Sequence, residues 1–202
     1  SLFVRMQELA TRDSLTGLYD HGHFFQLLRA EKSRIERHGQ QLAVIMLDID
    51  SKNGLKVIND TYGHQAGDSL LQAVADLLRN EVRCEDVVAR YGGDEFIILA
   101  PHTGRAAALA LANRLCETIQ EEPFDVADNT VHITVSVGVA VSRPGGNETG
   151  DEIVTRADNG LYLAKSQGGN QARTVHPSTE DESSHVAEPQ TDGVVEKSEP
   201  QD

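Results

Sequence analysis

The sequence predicts an α/β domain of the α+β kind, a central sheet flanked by helices. Three observations predict it. Leu42-Ala43-Val44-Ile45-Met46-Leu47 is an uninterrupted apolar run, the mark of a central strand buried on both faces. Val87-Val88-Ala89 and Phe96-Ile97-Ile98-Leu99 flank Gly92-Gly93, the pattern of strand, tight turn and strand that makes a hairpin. Around these runs, apolar residues recur every three or four positions, as on amphipathic helices. The 202 residues suffice for one domain with a sizeable core.

Charge and cysteine content narrow the function. There are 32 acidic and 18 basic residues, a net charge of −14. A general nucleic-acid or anionic-membrane binder needs a basic face, so contact with either is not expected. A nucleotide ligand stays open, because a metal ion supplies positive charge locally. Two cysteines, Cys84 and Cys116, and no secretory segment suggest a reducing, cytoplasmic setting. No apolar run approaches the ~20 residues of a membrane span. An anchor of the parent protein would lie outside this chain.

Taken in order, residues 1–12 carry helical spacing through Leu2, Phe3, Met6 and Leu9. They read as the end of a linker helix from an N-terminal sensor module outside this chain. A short helix packed on the domain fits the same spacing. Residues 13–175 form the folded domain. Asp13 to Asp20 is turn-rich, and Asp20 or His21 caps a helix over 23–38 with Phe24, Leu27, Leu28 and Ile35 on one face. The strand over 41–49 ends in Asp48-Ile49-Asp50. Acids at the end of a buried strand suit a site on a rigid support, or mark a strand leaving into solvent.

Asn53-Gly54 signals a loop, followed by a short helical turn. Asp68 is expected to start the next helix, through Leu70, Leu71, Val74, Leu77 and Leu78. A helix over 103–120 stops before Pro123. Residues 131–141 alternate Val or Ile with His, Thr, Ser and Gly, predicting a half-buried strand with His132 structural on its polar face. A last helix covers 151–166. From Pro177 onward there are eight acids, one lysine and few large apolar residues. Residues 176–202 therefore read as a disordered acidic tail.

The hairpin turn is Arg90-Tyr91-Gly92-Gly93-Asp94-Glu95-Phe96. Its glycines allow a tight turn and close approach of a ligand, and two carboxylates stand at the tip. Gly92-Gly93-Asp94-Glu95-Phe96 resembles the signature of the GGDEF family, the diguanylate cyclases. Three more blocks are similar to that family. They are Asp13-x-Leu15-Thr16-x-Leu18, then Asp48-x-Asp50 with Lys56-x-Ile58-Asn59-Asp60-x-x-Gly63-His64-x-x-Gly67-Asp68, and Ala157 to Lys165.

The resemblance implies a palm-like nucleotidyl-cyclase domain with a βααββαβ core and a mostly antiparallel sheet of about five strands. It implies that two GTP condense to cyclic di-GMP and two pyrophosphates. Asp48, Asp94 and Glu95, with the Ile49 carbonyl, would hold two Mg²⁺ or Mn²⁺ ions per active site, since hard cations take oxygen ligands. Glu95 is alternatively the base for the 3′-hydroxyl. Asn59 and Asp68 would read guanine, because a carboxylate accepts from guanine's paired donors. Lys56 and Lys165 would hold phosphates. Arg83 and Asp86, with Arg114, would form an inhibitory site for the product. One site holds one GTP, so a homodimer is needed. Singly, Asn59 and Asp68 read as caps and Lys165 as a lysine favoured by a helix C-terminus.

Two positions depart from the family pattern. Ser51 to Leu55 make the loop before Lys56 about three residues longer. Gly168-Gly169-Asn170 stands where the family has Gly-Arg-Asn, which implies weaker GTP binding rather than lost chemistry. A catalytically weak or inactive module that binds cyclic di-GMP or GTP is the alternative function. An ATP-using cyclase is a third, disfavoured by Asp68.

Overall fold

The computed structural model describes residues 11–143, 145 and 147–175. The helix expected over 1–12 lies outside the described residues save for Thr11 and Arg12, which are not helical, and the tail over 176–202 lies outside them entirely. The elements are α1 (His21–His38), β1 (Leu42–Ile49), α2 (Leu55–Tyr62), α3 (His64–Glu81), β2 (Val87–Gly92), β3 (Glu95–Pro101), α4 (Arg105–Glu121), β4 (Phe124–Val126), β5 (Asn129–Val131), β6 (Val135–Val141), α5 (Gly150–Ser166) and β7 (Ala172–Thr174).

Five strands form one sheet in the order β2-β3-β1-β6-β7. All neighbours are antiparallel except β6 and β7. This is the expected α+β layout, with helices on both faces. The short β7 and a separate β4–β5 ribbon add to it. β1 is buried at every position, as its unbroken apolar run requires. Its side chains alternate between two cores. Leu42, Val44 and Met46 pack with Phe24 and Leu28 of α1 and with Ile153, Ala157 and Leu161 of α5. Ala43, Ile45, Leu47 and Ile49 pack with Leu70, Val74 and Leu78 of α3 and Leu115 and Ile119 of α4.

Local signals explain the helix ends. The Asp20 carboxylate accepts from the His23 N–H at 2.7 Å and caps α1, which Gly39 ends at φ 63°. Thr149 and Glu152 form a reciprocal capping box at the start of α5.

Two expectations fail. The predicted strand over 131–141 is broken at His132, Ile133 and Thr134, which separate β5 from β6. β6 is also not half-exposed. Ser136 and Gly138, read as a polar face, lie under α5, and Ser136 is wholly buried. Small and weakly polar residues there mark close helix approach, not water. Asp68 does not start its helix either. α3 begins at His64 after Gly63 at φ 88°, and Asp68 stands exposed in its second turn.

The contact between α5 and β6 depends on Gly138. A Cβ there would stand 1.9 Å from the Ala157 carbonyl oxygen and 2.2 Å from the Leu161 nitrogen. Both are backbone atoms of α5, so relief requires moving the helix. Gly138→Ala should therefore destabilise the fold by about 3 kcal/mol or more, read as a lowered urea midpoint. An unchanged midpoint would show that α5 does not pack as described.

Candidate active site

The β1–β3 ladder builds the site. Its register pairs Leu47 with Phe96 and Asp48 with Glu95. Residues directly opposite on paired strands share a face, so Asp48 and Glu95 point the same way. Gly93 and Asp94 form the turn between β2 and β3, and the Asp94 carbonyl accepts from the Ile49 N–H at 3.4 Å. The hairpin tip is thus fastened to the end of β1. Asp48 is thus brought near the adjacent acids Asp94 and Glu95, which are distant from it in sequence.

Asp48 is buried, with 10% of its side chain exposed. The Lys165 ammonium, from the last turn of α5, sits 2.7 Å from its Oδ2. Burial pushes the Asp48 carboxyl above the usual range. Lys165 pulls it down, and the negative charges of Asp94 and Glu95 push it up again. The carboxylates are hard oxygen donors suited to Mg²⁺ or Mn²⁺. Among the described residues, however, no three His, Cys, Asp or Glu side chains stand close enough to hold a metal ion as they are arranged. The cation on Asp48 here is Lys165.

Asp50, two residues on, does a different job. Its carboxylate accepts from the Thr134 hydroxyl at 2.7 Å, the Ser136 hydroxyl at 2.5 Å and the Asn170 N–H at 2.9 Å. Its own N–H donates to the Thr134 carbonyl at 2.9 Å. It ties the end of β1 to β6 and to the segment after α5. Gly168, Gly169 and Asn170 all have positive φ, at 110°, 74° and 50°. This run turns the chain from α5 toward β7 and aims the Asn170 N–H at Asp50. A Cβ on Gly169 would lie 2.9 Å from Asp50 Oδ1. Gly169 thus serves the turn and the close approach to Asp50.

The residues expected to read a base lie on α2 and α3. Asn59 packs its side chain against Gly67, where a Cβ would fall 2.0 Å from Asn59 Oδ1. That oxygen is buried and has no hydrogen-bond partner among the described residues. Asp68, next to Gly67, is exposed. Gly67 therefore lets Asn59 lie against α3 beside Asp68. Lys56 is exposed in the first turn of α2. The longer loop, residues 51–54, folds as turns between β1 and α2, and the backbone at Gly54 passes close to the Asp50 carbonyl.

The structure brings Arg83, Asp86 and Arg114 into a second place, a surface pocket of about 320 Å³ that Glu81 and Thr103 also line. Asp86 Oδ2 accepts from the Arg83 N–H at 3.0 Å, while its Oδ1 is buried without a partner among the described residues. Burial raises the Asp86 carboxyl, and the Arg83 N–H partly offsets that. Arg114 is held by the carboxylate and carbonyl of Glu81.

One fixture escapes the sequence reading. The Arg90 guanidinium grips the Gly93 carbonyl at 3.1 and 2.8 Å and reaches both Asp13 oxygens at 3.3 Å. Asp13 also accepts from the N–H and hydroxyl of Thr16. The turn over 13–20 is therefore locked to the hairpin, and Arg90 fixes the turn that carries Asp94. An arginine just before a Gly-Gly turn was the available signal.

Comparison with known proteins places the fold in a family. The family described as diguanylate cyclase, GGDEF domain, matches residues 10–171. Diguanylate cyclase A of Treponema denticola is 37% identical over 169 residues, 82% of this chain and 44% of that protein. Response regulator PleD of Caulobacter vibrioides is 37% identical over 165 residues, 81% of this chain and 36% of that protein. The chain spans less than half the length of these curated relatives. The coiled coil and GGDEF domain of DgcB from Caulobacter crescentus, solved with c-di-GMP, has a TM-score of 0.79 at 28% identity, covering 86% of this chain and 90% of that one. SiaD from Pseudomonas aeruginosa, solved with its activator SiaC, has a TM-score of 0.75 at 35% identity, covering 84% and 64%. With its sheet order, its Gly-Gly-Asp-Glu-Phe hairpin and a match running from residue 10 to residue 171, the chain belongs to the GGDEF domain family.

Proposed function

We propose that residues 13–175 are a diguanylate cyclase domain that condenses two GTP into cyclic di-GMP and two pyrophosphates. The observation that carries this reading is the β1–β3 register, which sets Asp48 opposite Glu95, with the Asp94 carbonyl bonded to the Ile49 N–H. The 3′-oxygen of one GTP bonds to the α-phosphorus of the other, and pyrophosphate leaves. The reverse attack closes the ring with a second pyrophosphate. Each domain presents one GTP, so two copies face each other across a two-fold axis.

Asp48, Asp94 and Glu95, with the Ile49 carbonyl, are the residues that would hold Mg²⁺ or Mn²⁺, two ions per site. Such ions, when bound, neutralise the triphosphate and lower the pKa of the attacking hydroxyl. Glu95 lies at the open end of the ladder, where it can accept the 3′-hydroxyl proton. Asn59 and Asp68 accept from or donate to the guanine edge, which rejects a base with the opposite donor pattern. Lys165 and Lys56 bind phosphate oxygens. Among the described residues no helix is long and apolar enough to cross a membrane. The signal entering through a preceding module is part of the same reading.

Arg83, Asp86 and Arg114 are proposed to bind the product and restrain the enzyme. The unpartnered Asp86 oxygen supports this, since a buried acceptor without a donor is costly. The same pocket supports the second reading, a domain that binds cyclic di-GMP without making it.

The direct test is incubation with GTP and Mg²⁺, with products resolved by chromatography and mass. Cyclic di-GMP is expected, with Asp94→Asn and Glu95→Gln each slower by about 10²-fold or more. No product, even with dimerisation forced by a fused coiled coil, would overturn the cyclase reading. Gly67→Ala pushes a methyl into Asn59 and should raise KM for GTP about three- to tenfold, the worth of one hydrogen bond, with little change in kcat. An unchanged KM would remove Asn59 from base recognition. Arg83→Ala should weaken cyclic di-GMP binding by about tenfold, seen by calorimetry. Equal binding would place the product elsewhere.

A further inference from the structure

The charges at the end of β1 do not balance without help. Asp48 and Glu95 are directly opposed on one face of the sheet, and Asp94 tops the adjoining turn. Opposed like charges on paired strands are unfavourable, and Asp48 is also nearly buried. Lys165 answers this charge, with its ammonium 2.7 Å from Asp48 Oδ2. Yet 42% of the Lys165 side chain is exposed, and it extends from the last turn of α5 on a flexible stem. Among the described residues it is held by one carboxylate at the edge of solvent.

We propose that Lys165 is the placeholder for a divalent cation, standing on Asp48 until nucleotide phosphates draw it away. The inference rests on the metal-dependent reading of the site given above. A divalent ion arriving alone meets an ammonium on the carboxylate it needs. A nucleotide arriving alone pulls Lys165 off Asp48 and leaves that carboxylate unpaired against Asp94 and Glu95. When both arrive, Lys165 exchanges a carboxylate for a phosphate, and Asp48 exchanges a lysine for a metal. Neither cost remains, so metal and nucleotide favour each other's binding reciprocally. Lys165 then does two things: it offsets the charge of Asp48 when no nucleotide is bound and binds phosphate when one is.

The test is Mn²⁺ binding to the whole chain without nucleotide, by titration calorimetry and by the paramagnetic resonance of free Mn²⁺. Lys165→Met should bind Mn²⁺ about tenfold tighter than the parent, the effect of removing one competing charge from a partly solvated site. Lys165→Arg keeps the charge and should stay at the parent's affinity. Lys165→Gln replaces Lys165→Met if the latter does not fold. Equal affinities for the parent and Lys165→Met would overturn the proposal, and so would equal tightening in Lys165→Met and Lys165→Arg. A parallel arm with 3′-deoxy-GTP, which lacks the attacking hydroxyl, separates the two levels. If Asp48→Asn weakens Mn²⁺ binding there while Lys165→Met has no nucleotide-free effect, the metal site stands and only the placeholder falls. If Asp48→Asn changes nothing in that arm, Asp48 is not a ligand and both fall.

Discussion

The antiparallel ladder between β1 and β3 sets Asp48 opposite Glu95 and fastens the Asp94 carbonyl to the end of β1. Side chains on a strand alternate faces, so a slip of one residue would turn Glu95 away from Asp48. The slip would also send Ile97 and Leu99 from the core beneath α1 and α5 toward the opposite core, and Phe96 and Ile98 the other way. Burial on both faces of the sheet therefore fixes the register far more firmly than any contact among the acids. The apolar interior thus holds Asp48 and Glu95 on one face, beside the turn that carries Asp94.

Two carboxylates of one short motif divide the work. Asp50 is surrounded by donors from β6 and from the turn after α5, and it fastens three strand ends together. Asp48 faces a single lysine and two other acids. A carboxylate satisfied by hydroxyls and an N–H is a fixture, whereas Asp48 is met by a half-exposed lysine. Arg90 extends the same logic to the hairpin, clamping the Gly93 carbonyl and tying it to Asp13. The acids at the tip stand on a turn held from both sides.

Much of this was legible in the sequence. The apolar run of β1, the Gly-Gly hairpin and the helical spacings have strong local signals, and the structure follows them. The roles of Asp48 and Asp94 in one site rest on motif resemblance, while the strand register places Asp48 opposite Glu95. Other features were hidden because they depend on packing between distant segments. Gly138 and Ser136 read as a polar strand face, since nothing local reveals that α5 descends onto them. Asp68 read as a cap, because a helix that starts on a glycine without a capping side chain leaves little sequence trace. Gly169 read as a missing cation, while its positive φ and its approach to Asp50 emerge only in three dimensions. The partnership of Lys165 with Asp48 joins residues more than a hundred positions apart and carries no sequence signature.

Whether the end of β1 and the hairpin tip form one cation-binding acidic site is decided by anomalous diffraction from crystals grown with Mn²⁺ and 3′-deoxy-GTP. The expected result is a manganese peak touching carboxylate oxygens of Asp48 and Asp94, with the Lys165 ammonium moved from Asp48 to a phosphate oxygen. A manganese peak elsewhere, or none while Lys165 remains on Asp48 beside a bound nucleotide, would show that these acids hold no such site.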